Sequence, residues 1–303
     1  MTAPLVSVVI PTFNRPAQLE RCLHALALQT YPRERFEVVV VDDGSEPPLG
    51  VAGAAQMSGL QVRILRTARA GPGAARNAGA REARGQVLAF LDDDCRPESL
   101  WLAELVRRVE HAPDLLVGAQ IRNGCPERAC STASHRLVEY IHATSRSDRG
   151  PSFLSSMSFA VQRQAFLGRG GFDPEVRHAS EDRELCDRWH QSGGRMEAVE
   201  QAIVHHAHEL GLWSFLRQHF GYGRGAYEFR HVLARRHTGL PRIERPAYYL
   251  ALVLSPLRGP ASERSLQLSC LLALSQAATL AGFAWQWALA RTALRLPRSQ
   301  PGA

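Results

Sequence analysis

Apolar residues fall along the first hundred positions in two alternating rhythms. "LVSVVI", residues 5–10, is an unbroken, mostly β-branched run that stops at Pro11, as expected of a strand buried on both faces and ending in a loop. Over residues 17–30 the rhythm changes. Leu19, Cys22, Leu23 and Leu26 recur on one helical face, behind Pro16 at a first-turn position. "FEVVVVDDGS" reads as a second buried strand closed by two acids and a Gly-Ser turn, "QVRILR" as a shorter third, "GAARNAGAREA" as a second helix and "GQVLAFLDDD" as a fourth strand. This order predicts right-handed crossovers and an α/β fold with a mostly parallel sheet flanked by helices.

In such sheets ligands bind beyond the carboxyl ends of the strands, and the polar residues gather there. Thr12 and Asn14 follow the first strand, Asp42 and Asp43 the second, Asp92, Asp93 and Asp94 the fourth. Three adjacent carboxylates repel one another unless something positive neutralises them. A solvated acidic turn would explain one such run. Two acidic strand ends facing one crevice fit a divalent cation better, because hard cations take carboxylate oxygens and share their remaining positions with phosphate. Arg76, early in the second helix, supplies a fixed positive charge to the same ligand.

Composition narrows the chemistry. With 303 residues, 45% of them hydrophobic and 21% charged, the chain is globular and holds one large domain or two smaller ones. The net charge of +7 comes entirely from arginine, since the sequence contains no lysine. That excludes a Walker-type phosphate loop and Schiff-base catalysis. Six dispersed cysteines do not form a disulfide framework, which points to a reducing, cytoplasmic setting. Cys125, Cys130, His135 and His142 fit no common zinc spacing. No basic segment precedes a long apolar run at the amino terminus, so no signal peptide is expected.

Five segments, "VSVVIPTFNR", "VVVVDDGS", "GPGAARNAGAREARG", "FLDDD" and "GGFDPEVRHASEDRELCDRW", resemble in matching order the family 2 glycosyltransferases, inverting enzymes with the GT-A fold. The likeness runs over about residues 5–225. It implies a nucleotide-diphosphate sugar donor (UDP, GDP or dTDP), Mg2+ or Mn2+, and a saccharide or lipid-linked acceptor. By the same resemblance Pro11, Thr12, Asn14 and Arg15 lie in the loop bordering the nucleoside. Asp43 accepts a hydrogen bond from the base, with Asp42 beside it, and Arg76 approaches base or pyrophosphate. Asp92 and Asp94 form the D-x-D pair, with Asp94 as the direct metal ligand. Asp93 points elsewhere if that segment is extended.

"SED", residues 180–182, reads locally as a helix start, with Ser180 as cap and acids favoured by the macrodipole. The resemblance instead makes Asp182 the general base for the acceptor hydroxyl, with Glu181 helping to hold the acceptor. In "IVHHAHE", His206 aligns with a histidine that completes the metal shell or contacts the diphosphate, and His208 is the second choice. Tyr222 and Arg224 approach the pyrophosphate or pack a glycine-rich turn. The Q-x-x-R-W signature of processive members is missing, which favours transfer of one sugar over polymer synthesis. Ser156, Met157 and Ser158 stand where relatives often carry an asparagine.

Residues 265–290 contain no charge, enough length to span a hydrocarbon core of about 30 Å. Yet Gln267, Ser269, Ser275, Gln276, Thr279 and Gln286 recur within them. The expectation is a helical region over 226–303 behind a catalytic domain over 1–225. That region is either a membrane-embedded or interfacial hairpin, or a buried amphipathic pair or oligomer interface. From residue 242 on, arginines 242, 245, 258, 264, 291, 295 and 298 stand against Glu244 and Glu263, suiting an anionic lipid surface at the cytoplasmic face. Two alternatives share parts of this pattern. A sugar-phosphate nucleotidyltransferase shares the sheet and acids but needs a glycine-rich basic loop that "PTFNR" is not. A non-catalytic nucleic-acid or membrane-binding module would use the arginines alone. The leading reading involves no nucleic acid.

Overall fold

In the computed structural model, which describes residues 5–50, 59–144, 146–147, 150–236, 244–258 and 263–295, the first apolar run forms β1 (Val6–Thr12). It is followed by α1 (Pro16–Ala27), β2 (Phe36–Asp42), β3 (Val62–Arg66), α2 (Pro72–Glu82) and β4 (Val87–Leu91). β1 runs two residues past the expected break and includes Pro11. Proline is tolerated because the pairing of β4 with β1 ends at Val9 and Phe90, so no ladder partner on that side needs its missing N–H. α1 stops at Ala27, short of Thr30, and buries the four expected residues, Leu19, Cys22, Leu23 and Leu26.

Beyond residue 94 the chain adds β5 (Cys95–Pro97), α3 (Trp101–Val109), β6 (Leu115–Asn123), α4 (Ala129–Thr144) and a small pair, β7 (Arg146–Ser147) with β8 (Gly150–Pro151). β9 (Ser158–Gln162), α5 (Arg163–Gly168), α6 (Glu181–Gln191) and β10 (Arg195–His206) complete the sheet and its cover. Among the described residues the main sheet has eight strands, ordered β3-β2-β1-β4-β9-β6-β10-β5. The four pairings β1/β2, β1/β4, β2/β3 and β6/β10 are parallel. β9 lies antiparallel between β4 and β6, and β5 antiparallel at the edge against β10. Helices cover both faces. Val6, Val8 and Ile10 pack with α1 and α3, while Val9, Val39 and Val41 pack with α2, α5 and α6.

The carboxy-terminal part consists of α7 (Leu212–Arg236), α8 (Pro246–Leu254) and α9 (Glu263–Arg295). The expected boundary between 225 and 226 falls inside α7, a single 25-residue helix. Leu268 and Leu271 of α9 pack with Phe215 of α7 and Ala133 of α4, and Leu272 joins Leu137 and Leu252. "GYGRG" is therefore mid-helix rather than a turn. A Cβ at Gly223 would overlap the Thr279 carbonyl oxygen, and one at Gly282 the Phe220 carbonyl, so each helix offers a notch to the other's backbone. Arg242 and Arg298 lie outside the described residues.

Candidate active site at the carboxyl ends of the strands

Each of the three acids after β4 has its own partner. The segment is a turn rather than an extended strand, closed by Cys95 N–H donating to the Asp92 carbonyl (3.1 Å). The side-chain alternation expected of an extended segment therefore does not apply to Asp92, Asp93 and Asp94. Asp92 is held by Arg76 Nη2 at 2.5 Å. Asp93 accepts from Thr12 Oγ1 (2.7 Å) and Arg15 Nη1 (3.3 Å). Asp94 takes Arg15 at 3.0 Å and lies 3.4 Å from His206 Nε2.

The backbone explains why His206 is there. His206 pairs with Cys95 in the antiparallel β5/β10 register, and Ala207 N–H donates to the Asp94 carbonyl at 2.8 Å. Two residues further, His208 again faces the acid, since alternate residues of an extended segment share a side. The ligand atoms of Asp94, His206 and His208 all lie within 4.8 Å of one another, the group among the described residues fit to hold a cation. Asp92 is outside this trio, and His208 is the third member. The four-residue Cys125/Cys130/His135/His142 set forms no such group among the described residues.

The electrostatics suit a cation. Burial opposes the charge of Asp94, but the His206 charge and hydrogen bond, with Arg15 adding, outweigh it and hold the carboxyl well below the usual range. Burial, with His206 adding, pushes His208 down to about 4, so it is neutral at physiological pH. Its Nδ1 is buried without a hydrogen-bond partner. A neutral imidazole with an orphaned nitrogen beside an ionised carboxylate fits a divalent ion. One oxygen and two nitrogen donors suit Mn2+ better than Mg2+, which prefers oxygen throughout.

Arg76 joins this corner to "SED". It is 2% exposed and reaches Asp92 through Nη2 and Glu181 through Nη1 (2.9 Å), lying over the Phe172 ring. Its reach is thus internal. Glu181, 7% exposed, also accepts from Ser156 Oγ and is turned inward. Asp182 is the more open of the two. Its oxygens take the Ser156 N–H (3.3 Å) and the Arg183 N–H (2.9 Å). Burial and the neighbouring Glu181 charge push Asp182 up to about 7. Ser180 does not cap α6: its φ is 70° and its side chain makes no cap hydrogen bond. Tyr222 lies close by. Burial, partly offset by the Gln218 hydrogen bond and reinforced by Asp182 and Asp94, moves its phenol up to about 12. Arg224 turns away, to Gln286 on α9.

A second feature borders β1 and β2. A cleft of about 710 Å³ is lined by Phe13, Asn14, Gly44, Arg66, Thr67 and Arg69, with the Arg69 guanidinium 4.2 Å from the Phe13 ring centre. Asn14, at φ 54°, accepts the Glu46 N–H through its side-chain oxygen and donates its own N–H to Ser45 Oγ. Asp42 binds the Ser45 and Leu49 amides and Arg66, while Asp43 binds the Ala70 and Gly71 amides at 2.9 Å each. Both acids shape the cleft's loops, and neither lines the cleft itself. Sequence reasoning missed Phe13 and Arg69. The H-x-H spacing was the available signal for placing His208 with His206.

A strand-end cleft beside an acid-histidine cluster is where α/β sheets of this kind place their ligands. Residues 7–171 match the family described as Glycosyl transferase family 2, and the chain belongs to that family. It is 36% identical over 142 residues to "Glycosyltransferase AglE" of Haloferax volcanii, covering 46% of each chain. It is 28% identical over 236 residues to "Pre-mycofactocin glycosyltransferase" of Mycobacterium tuberculosis, covering 73% of this chain and 46% of the relative. The chain thus spans about half the length of these curated relatives. Among solved structures, the mannosyltransferase PcManGT from Pyrobaculum calidifontis in complex with GDP-Man and Mn2+ aligns with a TM-score of 0.60 at 21% identity. That alignment covers 98% of this chain and 82% of that one, a likeness in fold: the GT-A arrangement.

Proposed function

We propose that the protein moves a single sugar from a nucleotide-diphosphate sugar to a hydroxyl of a saccharide or lipid-linked acceptor, with inversion and with Mn2+ as cofactor. The observation that carries this is the Asp94/His206/His208 trio, joined through Asp92, Arg76 and Glu181 to Asp182. The relatives' names and the GDP-Man and Mn2+ of one structural neighbour agree with it. Membership in the family leaves the nucleotidyltransferase and the binding-module alternatives without a supporting observation.

Asp94, His206 and His208 would hold the cation, which would supply positive charge to offset that of the departing diphosphate. The base of the donor lies in the Phe13/Arg69 cleft, whose volume suits a nucleoside. Arg15, 44% exposed at its side chain, is placed to swing from Asp93 and Asp94 to the phosphates. Asp182 takes the acceptor proton as the oxygen attacks the anomeric carbon opposite the leaving group. One carboxylate in that role gives a single displacement and an inverted product.

The test is thermal stability with UDP, GDP and dTDP sugars, each with Mn2+, with Mg2+ and with chelator, followed by NMR of the product's anomeric coupling. Stabilisation by one nucleotide sugar that needs the metal, and an inverted product, is the expected result. No metal-dependent stabilisation by any donor, or retained configuration, would overturn the reading.

A further inference from the structure

α9 is apolar nearly all round rather than one-sided, so its outward face lacks the polar cover of a surface helix. Its inward face carries Leu268, Leu272, Ser275, Thr279, Gly282 and Gln286. Three of the polar members of that face are satisfied there, Ser275 Oγ by the Leu272 carbonyl, Thr279 by the Ser275 and His219 carbonyls and Gln286 by Arg224 and Glu228, while Ser269 Oγ is buried without a partner. The outward face is apolar. Leu266, Leu274, Leu280, Trp285, Trp287 and Leu289 are 43–71% exposed, and Gln267 is the one polar residue among the exposed positions from 266 to 289. A helix facing water has the opposite distribution, and a continuous apolar face of this length marks an interaction surface.

We propose that this face of α9 lies flat on an anionic lipid surface. Charge selects the occupant. Arg245, Arg258, Arg264 and Arg291 are exposed around the α8–α9 segment against Glu244 and Glu263, and the Arg291 guanidinium sits 4.0 Å from the Trp287 ring centre. Tryptophan beside arginine suits the boundary between headgroups and acyl chains. A second copy of the chain would bring two arginine-rich borders together, whereas anionic headgroups neutralise them. Packing selects the orientation. Only a third of the helix's most apolar stretch is buried, yet the buried side is fastened to α7 through Arg224, Glu228 and Gln286. Spanning a bilayer would carry those polar groups into hydrocarbon, where each loses its access to water. The helix therefore lies on the surface. The inference does not depend on the transfer chemistry proposed above.

The experiment is flotation of the full chain with phosphatidylcholine vesicles containing or lacking phosphatidylglycerol, at low and high salt, with tryptophan emission recorded in parallel. The expected result is binding at least about tenfold tighter to the anionic vesicles, weakened by salt, with a blue shift on binding. Leu280→Gln/Trp285→Ser/Trp287→Ser should lose flotation and keep the melting temperature, and Arg258→Glu/Arg291→Glu should lose the anionic preference. Equal flotation of the triple variant overturns the proposal. So does a wild-type dimer, dissociated by the triple variant, that ignores vesicles. Vesicle association resisting alkaline carbonate extraction overturns it in favour of a spanning helix.

Discussion

Asp92, Asp93 and Asp94 are adjacent in sequence, yet each is neutralised differently, and the differences forecast how each substitution behaves. Burial and the Asp94 charge, against Arg15, push Asp93 up to about 7, so it carries much less charge than its neighbour. Asp94→Ala removes a ligand of the trio. Calorimetry with donor and Mn2+ should show metal-dependent affinity falling by at least about 100-fold, since even groups that only orient a ligand contribute about 10–100-fold. Asp93→Asn should change it by a few fold. Wild-type affinity in Asp94→Ala would end the assignment. Asp182 makes a second, double prediction. Turnover should rise with pH through about 7, as the carboxyl loses its proton, and Asp182→Asn should lose about two to four orders of magnitude in turnover with donor affinity intact. An acid with a raised folded pKa binds more protons folded than unfolded between about 4 and its folded value, so the native state loses stability as pH rises across that window. Asp182→Asn should therefore melt higher than wild type above pH 7, by roughly 2–4 °C for each kcal/mol released, and this gain should vanish near pH 4. Equal melting at both pH values would contradict the burial of that charge. Ser180 and Asn14, the described non-glycine residues at positive φ, border Asp182 and the Phe13/Arg69 cleft respectively, and strain of this kind concentrates at functional sites.

At the scale of elements, the crossing of α7 and α9 depends on two missing side chains. Gly223→Val would drive a branched side chain into the Thr279 carbonyl. Overpacking of this kind costs about 1–3 kcal/mol, so the melting temperature should fall and trypsin should cut α9 faster at Arg264 and Arg291. Unchanged melting and proteolysis would mean the notch is not needed. This contact also shows where sequence was legible. β1, α1, β2, β3, α2 and β4 could be read because buried runs and one-sided helical spacing are local signals. β9 could not be placed, because its antiparallel position between β4 and β6 is decided by partners far along the chain. The glycines of "GYGRG" resemble a turn locally and become notches only once α9 packs against them. Asp94, His206 and Asp182 were legible through the motifs that carry them. The turn that sends Asp92 to Arg76 and admits His208 was not, because it is set by the pairing of β5 with β10.

For the whole molecule, a cation at the trio would tie together parts that are distant in sequence. Binding to the native state alone raises unfolding free energy by about 2.7 kcal/mol at one hundred times the dissociation constant. Urea midpoints should therefore rise with Mn2+ in the wild type and not in His206→Ala, and a rise of equal size in that variant would place the ion elsewhere. The layout also has a consequence during translation. Asp94 is made 112 residues before His206 (206 − 94), and at about 5–20 residues per second the ribosome needs roughly 6–22 s to supply the first histidine. Glu181, the second partner of Arg76, is late as well. Arg15 and Arg76, which pair with all three carboxylates in the folded chain, precede them in sequence, so these arginine counter-ions are available to the acids throughout that interval while the histidines are not.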